Sequence, residues 1–296
     1  MRTAILGCGL IAAVHAQALK ELGHQLTVVV GSNLKSAEKF AVQFGIDRFG
    51  DDIEAALARD IDCVHICTPP VLHYEMAKAA ISAGKHVVCE KPMCLDPDEA
   101  KELMLLAEEK KLVGAVNFNV RFYDACKKAR ELIADPDFGN VCIVHGSYLQ
   151  EYHTLPEEYT WRYKPELAGK MRAVTEIGSH WIDLARYWTG MEIEEVSADF
   201  GRFAPVRYVA DGVMYADKKE NSRKIAVPSE DAAAISIRFS KGAIGNVFLS
   251  EVSHGRNNYV SIEVSGTKQS VWWNSESPYH LNSSKKNCGI NTLINS

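Results

Sequence analysis

A glycine-rich turn at the very start of the chain constrains its fold more than any other feature. The apolar stretch Thr3–Leu6 runs directly into Gly-Cys-Gly-Leu-Ile-Ala at residues 7–12, and a helix-compatible run follows. Gly7 permits a tight turn out of a strand, Gly9 lets the main chain approach a pyrophosphate, and Ala12 lets the helix pack closely. The free N–H groups of a helix N-terminus also favour an anion. Short glycine patterns occur by chance, but this strand–turn–helix context predicts a dinucleotide-binding Rossmann unit.

The composition is that of an ordinary globular protein of about two domains. Of the 296 residues, 47% are hydrophobic and 24% are charged. The formal net charge of −5 argues against nucleic acid or an anionic membrane as the main partner. No apolar stretch reaches the ~18–20 residues that span a bilayer, and the glycines near the N-terminus interrupt the apolar run that a signal peptide needs. We therefore expect a cytoplasmic protein.

The eight cysteines include no Cys-x-x-Cys pair and no Cys/His spacing typical of zinc sites. Several of them lie in apolar strand-like runs, where cysteine behaves as a small buried hydrophobic residue. This usage is typical of a reducing compartment. The sequence therefore predicts neither disulfides nor a metal site.

The first 120 residues alternate apolar strand-like runs with amphipathic helical segments, the pattern of a parallel sheet. Strands are predicted at Thr3–Leu6, Leu26–Val30, Asp62–Cys67, His86–Cys89 and Val113–Val116. Helices are predicted at Ser36–Phe44, Asp52–Ala58, Leu72–Ala83 and Pro97–Lys110. Right-handed crossovers would wind these units into a doubly wound sheet. Residues 1–120 are thus predicted to form an NAD(P)-binding Rossmann domain.

After about residue 120 the pattern becomes rich in strands. They are predicted at Val141–Leu149, Glu194–Arg202, Ala232–Phe239, Ile244–Val252, Val260–Ser265 and Gln269–Trp273, with helices at Asp124–Ile133 and Glu176–Trp188. The alternation of apolar and polar residues predicts a large open, mostly antiparallel sheet with one buried face. Residues 121–296 are therefore expected to form a second α/β domain.

Three further segments stand where predicted parallel strands end, which is the edge at which an open α/β sheet binds its ligand. They are Thr68-Pro69-Pro70 with His73 close behind, Glu90-Lys91-Pro92, and Asn117-Phe-Asn119-Val-Arg121. A lysine at such an edge can donate to a substrate hydroxyl or to a developing alkoxide. Lys91 by itself would be interpreted as a surface lysine, so the combination of segments carries the prediction.

These motifs, in this order and at these spacings, resemble the glucose–fructose oxidoreductase / inositol dehydrogenase / MocA family of NAD(P)-dependent oxidoreductases. The resemblance continues through Trp161-Arg162 and Glu-Ile-Gly-Ser-His-Trp-Ile-Asp at residues 176–183, to about residue 275. It implies a Rossmann domain followed by a substrate-binding and oligomerisation α/β domain. The implied partners are a small sugar or polyol and further copies of the chain, as a dimer or tetramer built through the C-terminal sheet.

The resemblance also implies the reaction and its catalytic residues. A hydride would pass between the nicotinamide and a secondary carbinol or ketone of a sugar, cyclitol or related polyol. Lys91 would orient the substrate hydroxyl and stabilise the alkoxide, and His180 would act as general acid/base. Glu176 occupies the acidic position four residues before His180.

The spacing of the residues supports this chemistry independently. On the predicted helix, Glu176 precedes His180 by four residues and Asp183 follows it by three, so all three can share one face. A neighbouring carboxylate orients an imidazole, and carbinol oxidation needs a base for the hydroxyl proton and a cation for the oxygen. His180 considered alone is better explained as a core histidine paired with Asp183, and the presence of Lys91 reverses that preference.

Two other functions stay open. A dinucleotide-binding regulator or redox sensor would bind NADP and do no chemistry, whereas a related reductase would act on an imine or a biliverdin-like carbonyl. A sensor that does no chemistry would not need Lys91, Glu176, His180 and Asp183 together, so their presence favours an enzyme. The pair Lys91 and His180 favours carbinol chemistry over the reduction of an imine or of biliverdin.

The expected cofactor contacts include the residues of the glycine-rich turn and of the strand ends. They are Gly7, Gly9, Leu10, Ile11, Ser32, Asn33, Lys35, Thr68, Pro69, Pro70, His73, Glu90, Lys91, Asn119, Trp161 and Arg162. Tyr148, Tyr152 and His153 are expected on the substrate side, where aromatic faces pack on sugar C–H surfaces. Arg162 could bind either the cofactor or an acidic substrate group.

The loop after the second predicted strand bears on the choice of cofactor. An acidic residue there normally binds the ribose 2′-hydroxyl of NAD, but Gly31-Ser-Asn-Leu-Lys35 contains none. Ser32 and Asn33 could bond a 2′-phosphate and Lys35 could pair with its charge. NADP is therefore expected in preference to NAD, with dual specificity as the alternative.

The chain departs from the family pattern at two further places. The family usually has Asp at the position of Glu176, and the extra methylene moves the carboxylate. Residues 287–296 form a polar run without a clear element, whereas family members commonly continue with another strand and a helix. The C-terminal domain is therefore expected to be incomplete.

Overall fold

The computed structural model describes residues 1–154 and 161–294, which divide into two compact units. The first comprises Met1–Asn117 with Glu166–Gly169, and the second comprises Phe118–Pro165 with Lys170–Ser296. The first change of unit lies close to the boundary at residue 120 that the sequence pattern indicates.

The first unit is a six-stranded parallel sheet with helices between its strands. The strands are β1 (Arg2–Leu6), β2 (Gln25–Val30), β3 (Arg48–Gly50), β4 (Cys63–Ile66), β5 (His86–Cys89) and β6 (Gly114–Val116). The helices are α1 (Leu10–Glu21), α2 (Leu34–Phe44), α3 (His73–Ser82) and α4 (Pro97–Glu109). The strand order β3-β2-β1-β4-β5-β6 is that of a doubly wound dinucleotide-binding sheet, which confirms the predicted fold class.

Local sequence signals explain the helix ends of this unit. The side chain of Asn33 caps α2 by accepting from the Ser36 amide, and Asp96 caps α4 with Pro97 at its first position. The helix predicted at Asp52–Ala58 is wrong, because the segment forms only a 3₁₀ turn at Ile53–Leu57 and Ala58 is already extended. The three-residue edge strand β3 was not predicted, since so short a run has no readable alternation.

The second unit contains a mixed eight-stranded sheet. From residue 118 onward the helices are α5 (Asp124–Ala134), α6 (Pro165–Ala168) and α7 (Ser179–Thr189). The strands are β7 (Val141–Leu149), β8 (Ile193–Gly201), β9 (Val206–Ala210), β10 (Val213–Tyr215), β11 (Arg223–Ala226), β12 (Ala232–Phe239), β13 (Ile244–Ser250), β14 (Tyr259–Gly266), β15 (Gln269–Asn274), β16 (His280–Lys285) and β17 (Asn291–Ile294). The large sheet has the order β17-β16-β15-β14-β7-β13-β12-β8, and β9 to β11 form a small sheet of their own.

Strand pairing in the large sheet is mostly antiparallel, as predicted. Among the described strands of this sheet, only β7 and β13 pair in parallel. Helices α5 and α7 contact one face of the sheet. The core on that face includes Trp181, Trp188 and Trp273, while Ile244 and Phe248 lie exposed on the opposite face.

Two details of this unit differ from the sequence-based expectations. The polar run at residues 287–296 was expected to have no element, but Asn291–Ile294 pairs with β16 as β17. Main-chain hydrogen bonds extend a sheet with polar strands as readily as with apolar ones. The helix predicted from Glu176 begins as a π-helical turn over Val174–Gly178, and regular α-helix starts only at Ser179. Within residues 1–154 and 161–294, no helix is long and apolar enough to cross a bilayer.

Candidate functional site

The turn between β1 and α1 has the geometry of a phosphate cradle. Gly7 has a φ of +108°, and a Cβ there would lie 2.6 Å from the carbonyl oxygen of Cys67. Gly9 is the N-cap of α1, and in the described part of the chain no side chain caps that helix. Leu10 is 87% exposed, so the first-turn amides are open to a ligand. These residues fit the pyrophosphate of a dinucleotide.

The loop after β2 contains the residues expected to contact the adenosine ribose. Asn33 accepts from the Ser36 amide through Oδ1 at 2.9 Å, and its Nδ2 donates to the Ser32 hydroxyl at 3.3 Å. Its side chain is therefore partly committed to capping α2. Ser32 and Lys35 are both exposed, which leaves a hydroxyl and an ammonium group accessible in a loop without a carboxylate.

His73, an expected cofactor contact, lies in the interior beside two main-chain carbonyls. Its side chain is fully buried, and its two ring nitrogens lie within hydrogen-bonding distance of main-chain carbonyls. Nδ1 is 2.7 Å from the Pro92 carbonyl oxygen and Nε2 is 2.8 Å from the Thr68 carbonyl oxygen. His73 therefore links the loop of Thr68, Pro69 and Pro70 to the loop after β5, and it presents no free ring nitrogen to a cofactor.

Glu90, another expected cofactor contact, is an interior residue with protein partners. It is 8% exposed, and its Oε1 accepts from His15 Nε2 at 3.0 Å and from Asn117 Nδ2 at 2.6 Å. Its Oε2 accepts from the Lys91 amide at 3.2 Å. Burial alone would raise the pKa of Glu90, but the hydrogen bonds from His15 and Asn117 outweigh burial and lower it. The carboxylate is thus held ionised inside the unit.

Sequence reasoning missed His15 and Asn117. His15 lies on α1 three residues after Ala12 and four before Leu19, both buried, so the helical period places it on the inner face. A polar residue on a buried helical face was a signal that it had an internal partner.

In the second unit His180 lies in the first turn of α7 among aromatic rings. Its ring centroid is 5.6 Å from that of Phe118 and 6.3 Å from that of Tyr148. Tyr148 is buried, and its hydroxyl donates to Asn258 Oδ1 at 2.8 Å. Tyr148 therefore lies near His180 as expected, but its hydroxyl already has a protein partner.

The two carboxylates predicted beside His180 each bind an arginine. Glu176 Oε2 accepts from Arg162 Nε at 2.8 Å. Asp183 accepts two hydrogen bonds from Arg121, one of them from Nε at 2.9 Å and the other from Nη2. The three residues were expected on one face of a regular α-helix. Glu176 instead lies in the π-helical turn, and His180 and Asp183 lie in the α-helix that follows. Both carboxylates also have arginine partners. The motif at residues 117–121 contains Arg121, but nothing in the sequence indicates its pairing with Asp183.

The remaining predicted contacts differ in exposure. Asn119 is exposed and starts a 3₁₀ turn over Asn119–Phe122, and Tyr152 is exposed. The guanidinium of Arg162 lies over the Trp161 ring at 4.6 Å. Since Arg162 is also paired with Glu176, its charge is already compensated within the protein.

His153, which is expected on the substrate side, belongs to a buried polar cluster. It shares a hydrogen bond of 3.0 Å with the Tyr163 hydroxyl. Arg172, whose side chain is fully buried, pairs with Asp231 and with Glu251, the latter at 3.1 Å. Burial places these charges at a low local dielectric, where each depends on its partner.

Glu251 makes the stability of the fold depend on pH. Burial raises its pKa from 4.5 to about 8, with Arg172 opposing the shift. The folded protein therefore holds this proton more tightly than the unfolded chain, and stability should fall as pH rises from about 4.5 to about 8. Burial lowers the pKa of His65 from 6.5 to about 4 and that of His153 to about 3. These histidines increase stability with pH, but only up to about 6.5.

Between pH 6.5 and 8 only the Glu251 contribution of these three changes, so the melting temperature of the wild-type protein is expected to decrease. The Glu251→Gln variant removes the titrating group and should melt at a nearly constant temperature over this window. Thermal unfolding followed by circular dichroism checks both curves. Parallel slopes for the two proteins would contradict the prediction.

Comparison with known proteins covers both units. Residues 1–118 match the family model described as an oxidoreductase family with an NAD-binding Rossmann fold, and residues 126–272 match the GFO/IDH/MocA C-terminal domain. A levoglucosan dehydrogenase from Pseudarthrobacter phenanthrenivorans is 34% identical over 254 residues, which cover 84% of this chain and 65% of the relative. The D-glucoside 3-dehydrogenase from Escherichia coli is 29% identical over 232 residues, covering 73% of this chain and 65% of that protein. The chain thus spans slightly less than two thirds of these curated relatives.

Solved structures of sugar and inositol dehydrogenases are also similar to this chain. A levoglucosan dehydrogenase in complex with NADH and L-sorbose has a TM-score of 0.91 at 29% identity, over 100% of this chain and 80% of that chain. An inositol dehydrogenase homolog from Azotobacter vinelandii, in complex with NADH and myo-inositol, has a TM-score of 0.85 at 26% identity, over 99% and 75% of the two chains. In the described residues no group of three or more His, Cys, Asp or Glu side chains could hold a metal ion.

Proposed function

Because the chain belongs to the GFO/IDH/MocA family of oxidoreductases, we propose that it is an NAD(P)-dependent dehydrogenase of a neutral sugar, cyclitol or related polyol. The observation that carries the proposal is the match of both units to the family. Lys91 and His180 lie in the Glu-Lys-Pro and Gly-Ser-His segments through which the sequence resembles that family. The cofactor, when bound, would accept or donate the hydride. The remaining chemistry falls to side chains of this chain.

Lys91 and His180 would divide that chemistry between them. The Lys91 ammonium would donate to the substrate oxygen and stabilise it as negative charge develops. The His180 imidazole would take the hydroxyl proton during oxidation and return it during reduction. Glu176 and Asp183 would serve as second-layer carboxylates, each already bound to an arginine.

A neutral substrate suits the charges around this helix better than an acidic one. The Arg162 guanidinium is bound by the Glu176 carboxylate at 2.8 Å, so an incoming carboxylate or phosphate would meet a compensated pair. Levoglucosan, L-sorbose and myo-inositol, the ligands of the similar solved structures, are uncharged polyols.

The direct test is a spectrophotometric assay at 340 nm with both cofactors. NAD⁺ and NADP⁺ are each combined with a panel of neutral sugars, anhydrosugars and inositols, and NADPH and NADH with ketoses and inososes. Reduction of either cofactor by at least one neutral polyol is the expected result. Tight cofactor binding without turnover would favour the regulator or sensor, whereas turnover only with an imine or a biliverdin-like carbonyl would favour the alternative reductase.

We also propose that the β2 loop accepts NADP and prefers it to NAD. No carboxylate there would repel a 2′-phosphate, and the Ser32 hydroxyl and the Lys35 ammonium are accessible to it. A Ser32→Asp substitution would put a like charge beside the phosphate and should weaken NADPH binding about tenfold or more, while NADH binding holds or improves. Calorimetric titration of both cofactors measures the ratio, and Ser32→Asn is the uncharged control. An unchanged ratio in Ser32→Asp would mean that this loop does not read the ribose.

The location and assembly of the protein complete the proposal. All eight cysteines are unpaired, which suits a cytoplasmic protein. The sheet face opposite α5 and α7 exposes Ile143, Ile244 and Phe248, and we expect a homo-oligomer to form through this face. Light scattering of the purified protein gives the number of subunits.

A further inference from the structure

Two buried histidines hold the main chain on both sides of Lys91. We propose that His15 and His73 are positioning residues, which fix the Lys91 backbone and thereby limit where its ammonium group can reach. The inference rests on the proposed role of Lys91. It adds that this role depends on two other residues of the first unit, His15 and His73.

On the N-terminal side the link runs through Glu90. The Lys91 amide donates to Glu90 Oε2 at 3.2 Å, while His15 Nε2 and Asn117 Nδ2 donate to Oε1 at 3.0 and 2.6 Å. A carboxylate that collects three donors in the interior has little freedom to rotate. The peptide N–H of Lys91 is therefore tied to a group whose orientation His15 and Asn117 determine.

His15 in turn is held by the sheet. Its Nδ1 shares a hydrogen bond of 2.9 Å with Nδ1 of His65, which lies on β4, and the two rings meet edge to face with centroids 5.2 Å apart. The pKa of His65 is lowered to about 4 by burial and by His15. His65 is therefore uncharged near pH 7, and the Glu90 carboxylate is the acidic acceptor of the cluster.

On the C-terminal side the link is direct. His73 Nδ1 lies 2.7 Å from the carbonyl oxygen of Pro92, the residue after Lys91. Its Nε2 lies 2.8 Å from the Thr68 carbonyl oxygen, and the ring has no exposed surface. His73 is the first residue of α3, so the loop that carries Lys91 is connected to a helix as well as to the neighbouring loop.

These contacts matter because the lysine side chain is long and flexible. Free rotation about its bonds would spread the ammonium group over many positions, and a displacement of about 1 Å at a reacting centre can cost about 10²-fold in rate. Fixing the main chain on both sides removes one source of that spread. Both histidines would act on turnover through Lys91, without touching the reacting atoms.

The test compares two substitutions of His15 that differ in one donor. Glutamine can place its Nε2–H₂ where the His15 Nε2–H donates to Glu90, whereas methionine fills similar space and cannot donate. We expect His15→Met to lower kcat about 10–100-fold with little change in the KM for the cofactor, and His15→Gln to recover most of the loss. Equal losses in the two variants, or a wild-type kcat in His15→Met, would overturn the inference.

A double-mutant cycle then separates positioning from general damage. In the Lys91→Ala background, His15→Met should change kcat by less than about twofold, because the group that His15 positions is absent. A full additional loss there would show that His15 acts independently of Lys91.

Amide hydrogen exchange provides a readout that does not depend on turnover. The Lys91 amide should exchange faster in His15→Met than in the wild-type protein, while the amide of Val64 in β4 serves as an internal reference. Unchanged Lys91 exchange would overturn the inference. If the wild-type protein oxidises no polyol, the proposed function fails, and the exchange measurement still decides whether His15 holds the Lys91 backbone.

Discussion

Replacing Lys91 with alanine is expected to lower kcat about 10²–10³-fold, the typical cost of removing one donor to a developing oxyanion. Cofactor affinity should change little, since the glycine turn at Gly7 and Gly9 and the open N-terminus of α1 provide the phosphate cradle. Steady-state kinetics with the best polyol of the panel and calorimetric titration with NADH and NADPH measure the two effects separately.

Matched variants make this result specific. Lys39→Ala removes an exposed lysine of α2 and should leave kcat unchanged, whereas Lys91→Arg keeps the charge but changes its geometry and should recover only part of the rate. His180→Asn should lose rate in a similar range, as expected for a general acid/base. Wild-type turnover in Lys91→Ala would remove this residue from the mechanism.

Replacing Arg172 with methionine is expected to destabilise the second unit by about 3–5 kcal/mol, the typical cost of breaking a buried ion pair from one side. The guanidinium is paired with Asp231 and Glu251 and lies over the Tyr163 ring at 4.6 Å. Without it, Asp231 would stay buried with no counterion from this position. Methionine keeps most of the side-chain volume, so the loss would reflect charge rather than packing.

Urea unfolding followed by tryptophan fluorescence measures this loss where it is expected, because Trp181, Trp188 and Trp273 are buried in the core of the second unit. Arg186→Met is the control, since Arg186 forms an exposed ion pair with Glu192 on the same unit. Its cost should stay below about 1 kcal/mol. Similar losses for both variants would mean that burial of the Arg172 pair carries no special energetic weight.

The Rossmann unit could be predicted because its determinants are local. Gly7, Gly9 and Ala12 lie within six residues of sequence. Each strand and each helix can also be recognised from the spacing of its own apolar residues. The predicted strands Val141–Leu149 and Ala232–Phe239 agree with the structure to the residue. Short elements were harder: β3 and the 3₁₀ turn at Ile53–Leu57 contain too few residues to establish a period.

The candidate site could be predicted by residue type but not by contact. Lys91, Glu176, His180 and Asp183 were identified from motif and spacing, whereas the partners of the carboxylates were not. Asp183 is bound by Arg121, 62 residues away in the chain, and Glu90 is bound by His15 across 75 residues. Neither pairing has a sequence period that could reveal it.

The sequence by itself thus determined the α/β fold class, the glycine-rich turn after the first strand and the family. The tertiary structure decided that Glu90, His73 and His153 lie in the interior with protein partners. It also decided that buried charges such as Arg172 are compensated by residues that are distant in the sequence. The physical reason is that backbone conformation and amphipathic period depend on neighbours in the chain, whereas a buried polar group must be satisfied by whatever the fold brings within hydrogen-bonding distance.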